Sequence, residues 1–345
     1  MVEEFNSRER VLGLLNRKEI DRIPVFSGMG NVTIHGLKKY GWKFSDIHID
    51  AYKMAAMAAS SYQLFGFECA VVPFDLGVEA EALGAGINFY PVHADILYPT
   101  ISSKAAEKAK DLNVQIPTDL SQAGRIPLVT DAIRHLKKAI GEQVVIGAHV
   151  LGPYTLAGQL TDIGDLAKAA FKTSAMVGGI LDTLAGALIR ICAIYREAGA
   201  DYVTVREMGA GGDILSPRMF RSLIKPYLEK IFKAVESPKV LHMCGDTNDI
   251  IEQMESCGAD AISVDHKTRI AESREKVGDD TLIFGDIDGF GVMASGKPAD
   301  VESAVKHAID SGVDAVWPGC DIWPTAPVEN MEMLIEATRK YGKPS

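Results

Sequence analysis

Cysteine is sparse in this chain, five residues in 345, and the number is odd. Scattered thiols of this kind exclude a disulfide framework, and a chain of this length buries enough surface to need none. Basic residues are also outnumbered: 36 lysines and arginines face 46 aspartates and glutamates, a formal charge of −10. No basic block offsets that balance, which argues against nucleic acid or an anionic membrane as a partner. The opening MVEEFNSRER is polar and acidic, so no secretory signal is expected and the protein is expected to be cytoplasmic with reduced thiols. The longest apolar stretch, AMVGGILDTLAGALIRICAIY, carries Asp182 and Arg190 and is expected to be a core helix rather than a membrane span. Low-complexity segments and Pro/Gly-rich linkers are missing too, so residues 1–345 are expected to form one domain.

What the chain does have is a recurring unit: a short apolar, β-branched run, a loop, then a helical pattern. Eight such runs occur: IPVFSG from Ile23, CAVVPFD from Cys69, VVIGAHVLG from Val144, DYVTVREMG from Asp201, KVLHMCG from Lys239, DAISVDH from Asp260, LIFGDIDG from Leu282 and DAVWPGCD from Asp314. Amphipathic stretches lie between them at 162–198, 217–235, 247–257 and 298–311. Near-continuous apolar strands alternating with helices predict a parallel sheet covered by helices, and eight units predict an α/β fold of the (β/α)8 TIM-barrel type. The phrases ESCGADAISVD and IDSGVDAVWPG repeat one another, as αβ junctions around a barrel should. Residues 5–17 form a helical extension expected to close the barrel bottom, and Ser216 with Pro217 marks a helix start. A doubly wound open sheet is the competing architecture, weakened because no G-x-G-x-x-G follows the first run.

In such a barrel the chemistry sits at the carboxyl ends of the strands. The polar residues there are Asp75, Glu79, His149, Glu207, His242, Cys244, Asp265, His266, Asp286, Asp288 and Cys320. His242 and Cys244, two apart on one strand, share a face. With Cys320 at another strand end they have the composition of a Cys2His metal site with an open fourth position. On spacing alone an ordinary buried pair competes with that reading, since cysteine and histidine both occur as core side chains. Cys69, Cys192 and Cys257 read as structural, and His35, His48, His93, His135 and His307 have no evident partners.

At this point the residues resemble a known family. The H-x-C…C arrangement, DRIPV (Asp21 to Val25), PFDLGVEAEALG (from Pro73), LSPRMFRSLIKPYLEKI (from Leu215) and PGCDIWPTAPVENMEMLIEA (from Pro318) resemble the uroporphyrinogen decarboxylase superfamily. Within it they are most similar to the methylcobamide:coenzyme M methyltransferase branch, over nearly the whole chain. The resemblance implies zinc ligands at His242, Cys244 and Cys320, a methylated corrinoid protein as donor, and transfer of methyl to a thiol such as coenzyme M. Decarboxylases place arginines after the first strand, in a pattern like RQAGRY; here SGMGNVTIHGLKKYG has none, which counts against a substrate with eight carboxylates. Asp75 matches the acid those enzymes use on their pyrroles, and with Glu207 it is taken as a catalytic candidate.

Glu207 is also a candidate fourth ligand, or else a strand-end acid bonded to backbone. Arg206 is expected to turn away from the interior. VREMGAGGD and GDIDGFGVMASG depart from the methanogen pattern. Asp286 and Asp288, with His149, are therefore taken as acceptor- or cofactor-binding candidates, and tetrahydrofolate stays open beside coenzyme M as acceptor. No D-x-H-x-x-G signature is present, so the corrinoid is expected on a separate protein.

Overall fold

The computed structural model describes residues 5–92 and 96–343. His93 lies outside them. Nine strands form among the described residues: β1 (Cys69–Val72), β2 (Gly86–Asn88), β3 (Thr100–Ser103), β4 (Val145–Leu151), β5 (Tyr202–Arg206), β6 (Lys239–Met243), β7 (Ala261–Val264), β8 (Leu282–Ile287) and β9 (Ala315–Pro318). Seven of them, in the order β1-β4-β5-β6-β7-β8-β9, make one wholly parallel sheet. Strands β2 and β3 pair as a separate antiparallel hairpin that the sequence pattern does not suggest.

The ring closes where the first run was expected to be a strand. That run is reduced to a single parallel bridge, Val25 to Val316. On one side Val316 N donates to Pro24 O and Phe26 N to Val316 O; on the other Glu68 N donates to Val25 O. The bridge cannot lengthen, because Pro24 has no N–H and the Val25 N–H is taken by the Glu68 carboxylate at 2.8 Å. The chain then turns inward at Gly28, where a Cβ would lie 2.1 Å from Thr204 Oγ1 and 2.7 Å from the Trp317 ring. The eighth position is thus occupied, and the fold is a TIM-like α/β barrel.

Side chains fill its interior in layers. Phe26 packs edge-on against Tyr202, Phe284 and Trp317, with centroids 5.9, 5.2 and 4.9 Å apart. Above that floor, in cross-strand register, come His149 with Thr204, then Leu151 with Arg206 and His242. The helix Ser7–Leu15 starts from a capping box of Asn6 and Glu9 and covers the opposite end. Its Arg8 pairs with Asp201, ahead of β5, and its Arg10 with Glu68, ahead of β1.

Other helices follow the sequence pattern with local breaks. The 162–198 stretch is two helices, Ile163–Lys172 and Ser174–Glu197, divided at Thr173. Ser174–Glu197 is long and apolar enough to cross a membrane by length and composition, yet it packs against β4, β5 and the helix Lys225–Ala234. Ser216 caps Pro217–Met219 as expected, but a π turn, Phe220–Ile224, precedes Lys225–Ala234. Pro226 lacks the N–H that a regular α-helical ladder would need there.

Candidate metal centre

Strand β6 delivers His242, and the residue just past its end, Cys244, stays on the same face. The His242 ring is fully buried, with Nδ1 2.9 Å from Ser263 Oγ on β7 and Nε2 3.0 Å from Cys244 Sγ. Cys320, just beyond β9, brings its sulfur to 3.1 Å from that of Cys244. The three ligand atoms lie within 4.8 Å of one another. A histidine fixed through one nitrogen by a neighbouring hydroxyl, with the other aimed at two thiols, is the arrangement that presents a neutral imidazole to a cation.

The two thiols share their titration. The hydrogen bond from Cys244 holds the Cys320 thiol well below the usual thiol range, against burial and with help from His242 and Arg206. The same contact, with burial, pushes Cys244 well up. Together they describe a pair carrying one proton and one negative charge, because two thiolates this close repel. A divalent cation in the proton's place would let both ionise, so the donor set fits a soft metal such as zinc.

Of the adjacent pair Arg206–Glu207, Arg206 is placed opposite to expectation, while Glu207 follows the second of its two readings, an acid bonded to backbone. Tyr202, Thr204 and Arg206 point into the barrel, and Arg206 stands in register with His242. Its guanidinium, 1% exposed, donates to Asp321 at 2.6 Å and acts on both cysteines. Glu207 leaves the ring: its carboxylate accepts from Tyr154 N and Thr155 N, both at 2.9 Å, and from the Thr155 hydroxyl. Capping the helix Pro153–Leu160 consumes its oxygens, so it is not among the clustered ligands. Burial, opposed by these donors, pushes its carboxyl up to about 7. The signal lay in YVTVRE, where Val203 and Val205 mark the helix-covered face and so send Thr204 and Arg206 inward.

Asp75 is clamped rather than free. Arg125 holds it bidentately at 2.7 and 2.9 Å and His48 Nδ1 lies 3.0 Å away. These partners, opposed by burial, keep the carboxyl far below the usual carboxylate range. Its oxygens are engaged by these partners within the protein, and the residue lies in the wall of the cavity described below. His149 is fully buried with Nε2 3.1 Å from Pro73 O, one layer below His242; burial keeps it neutral, and it is not among the residues lining the cavity described below. Asp286 is partly buried, and burial pushes its carboxyl up to about 6. Asp286 lies within β8, whereas Asp288, just past its end, faces the cavity. Cys69, Cys192 and Cys257 are buried in the core. Ser263, Arg206, Arg125 and His48 are the partners that the sequence alone does not assign.

A cavity of about 760 Å³ opens beside the thiols, walled by Tyr98, His266, Asp288, Phe290, Cys320 and Trp323 among others. Phe290 and Trp323, more than half exposed, face each other at 5.0 Å at its mouth.

Fold and site together define an α/β-barrel protein with a histidine–dithiol cluster at the rim where such barrels do chemistry. More specifically, the chain belongs to the uroporphyrinogen decarboxylase (URO-D) family, whose model matches residues 6–341. It is 31% identical over 341 residues to the methylcobamide:CoM methyltransferase MtaA of Methanosarcina barkeri (strain Fusaro / DSM 804), covering 99% of each chain. It is 27% identical over 344 residues to the methylcobamide:CoM methyltransferase MtbA of Methanosarcina acetivorans, covering 98% of this chain and 99% of that one. Among solved structures, a methyltransferase from Methanosarcina mazei superposes with a TM-score of 0.91 at 29% identity, over 98% of this chain and 99% of that one.

Proposed function

We propose that this protein is a zinc-dependent methyltransferase that moves a methyl group from a methylated corrinoid protein to a thiol acceptor such as coenzyme M. The observation that carries the reading is the convergence of His242, Cys244 and Cys320 within 4.8 Å, in a chain similar over its length to coenzyme M methyltransferases. Methylcobamide would be carried by the partner corrinoid protein.

The residues that would hold zinc are His242, Cys244 and Cys320. Bound there, zinc would supply a site at which an acceptor thiol loses its proton yet stays electron-rich, because two cysteinates already cancel the ion's charge. An ordinary thiol with a pKa near 8.5 is only a few per cent thiolate at neutral pH, so this step decides nucleophile strength. Ser263 holds the His242 ring in its orientation, and Arg206 offsets the negative charge of the two sulfurs. The apolar cavity wall offers a flat donor a dry approach to the same face.

Tetrahydrofolate is the second reading for the acceptor. Asp265 and Asp288 line a cavity of about 760 Å³, larger than a two-carbon thiol fills, and carboxylates suit an amino-pyrimidine edge. The test supplies purified protein with methylcobalamin and either coenzyme M or tetrahydrofolate, following cob(I)alamin by absorption. Demethylation with coenzyme M supports the thiol reading, with tetrahydrofolate the second, and with neither it refutes both. Cys320→Ser should lose zinc, from about one per chain, and lose turnover by at least about 100-fold. Full zinc and full activity in that variant would overturn the site assignment.

A further inference from the structure

The mechanism leaves one question of atoms open: where the acceptor's proton goes. A thiol that becomes a nucleophile breaks its S–H bond, the electron pair remains on sulfur, and some base must form a new bond to hydrogen. The dithiol pair is no candidate, since ionising both cysteines already exports its own proton. Arg206 is a permanent cation paired with Asp321.

The cavity wall carries two other basic side chains among the described residues, Lys104 and His266. Lys104 is engaged, its amine donating to Thr161 O at 2.5 Å. His266 is differently placed. Gly245, which follows Cys244, donates its N–H to Asp265 Oδ2 at 2.9 Å, and Asp265 Oδ1 lies 2.5 Å from His266 Nδ1. One acid thus bonds the loop that bears the thiol through Oδ2 and brings its other oxygen, which has no hydrogen-bond partner among the described residues, beside the imidazole. Gly319, just before Cys320, packs against the same two residues so closely that a Cβ there would sit 2.9 Å from His266 N and 3.1 Å from Asp265 Cα. The other ring nitrogen, Nε2, is 3.9 Å from Asp288 Oδ2, too far for a direct hydrogen bond. Asp288 Oδ1 is held by Phe290 N and Gly291 N at 2.9 and 2.8 Å, so Oδ2 is the oxygen left turned to the ring. The His266 side chain is 44% exposed.

We propose that His266 takes the proton of the acceptor thiol at Nε2 and keeps it, as an imidazolium between Asp265 and Asp288, while the thiolate occupies the site. The proposal rests on the methyltransferase reading. Charge balance supports it. Asp265 and Asp288 line the cavity beside Asp321, which Arg206 already offsets; Asp286 lies behind, and Lys267 is turned to Asp213 at 3.0 Å. An anionic sulfur arriving alone would face this field unbalanced, whereas a neutral thiol that delivers its proton to His266 changes no net charge.

The measurement is calorimetric. Zinc-loaded wild type and His266→Gln are titrated with coenzyme M at pH 7.5 in two buffers of different ionisation enthalpy, which counts the protons passed to solvent. Wild type should release far less than one proton per thiol bound, and the variant about one, with roughly 10-fold weaker binding that recovers toward the thiol's own pKa. Asp288→Asn should move proton release toward the variant's value. A zinc content of about one per chain in all three proteins shows that the ligand cluster is intact. Equal proton release from wild type and His266→Gln would make His266 a spectator and overturn the proposal. If zinc-loaded wild type takes up no coenzyme M at all, the thiol reading itself fails, and the proposal with it.

Discussion

Glu79 shows how much a single residue can store. It is fully buried, its carboxylate oxygens have no well-formed hydrogen bond among the described residues, and burial, weakly opposed by nearby backbone N–H groups, pushes its carboxyl up to about 7. A folded carboxyl that holds its proton more tightly than the unfolded chain stabilises the fold at low pH. That contribution is fully present below the ordinary range near 4.5 and is lost as pH rises through about 7. Glu79→Gln should therefore match wild type at pH 5 and exceed it by about 3 kcal/mol at pH 8, as read from urea unfolding at the two pH values. An unchanged pH dependence in the variant would assign the burden elsewhere. At this scale the sequence was most informative where a rule linked two positions. The i, i+2 relation of His242 and Cys244 placed both on one face. Cys320 needed the barrel reading, because only a fold can close a separation that long, and the family resemblance then favoured a metal over a buried pair. Glu207 and Asp75 were legible as acids at strand ends, but nothing local shows that their oxygens are already occupied. Their partners, the Tyr154 and Thr155 amides and the Arg125 and His48 side chains, come from distant segments, and no local pattern announces them.

Among the elements, the weakest seam of the barrel is braced by charge. Only one bridge joins Val25 to β9, but Glu68, just before β1, accepts from Arg10, Arg22 and the Val25 N–H at almost complete burial. Removing one partner from a buried ion cluster typically costs about 3–5 kcal/mol because the others are left uncompensated. Glu68→Gln should lower the unfolding free energy from urea titration by that order, while Glu19→Gln, on the surface, should leave it alone; equal values for the two variants would show the brace to be idle. The strand runs were legible because buried parallel strands are apolar throughout. The first run was overread because Pro24 and the Glu68 carboxylate remove its ladder donors, and the second of these cannot be seen locally. The hairpin of β2 and β3 was missed because GIN and TISS lack both apolar contrast and length.

For the whole molecule, an ion bound only by the folded state adds to stability by mass action. Zinc at about 100 times its Kd should add roughly 2.7 kcal/mol, so chelation should lower the melting temperature of wild type and leave Cys320→Ser unmoved. Identical melting curves with and without chelator would speak against a resident metal. The barrel class was legible because a repeated strand–helix unit leaves few ways to bury its faces. The polarity of the rim was not, since it depends on the phase of each strand as well as its existence.

That phase has a consequence for how the chain tolerates change. Arg206 and Glu207 are neighbours with opposite destinations, one inside the ring at the height of His242, the other outside gripping a helix. Inserting or deleting one residue within β5 would exchange them, putting an acid beside the thiols and a cation against a helix N-terminus in a single step. Length variation in this protein should therefore be absorbed beyond residue 207, in the glycine-rich loop, while the strand before it keeps its count.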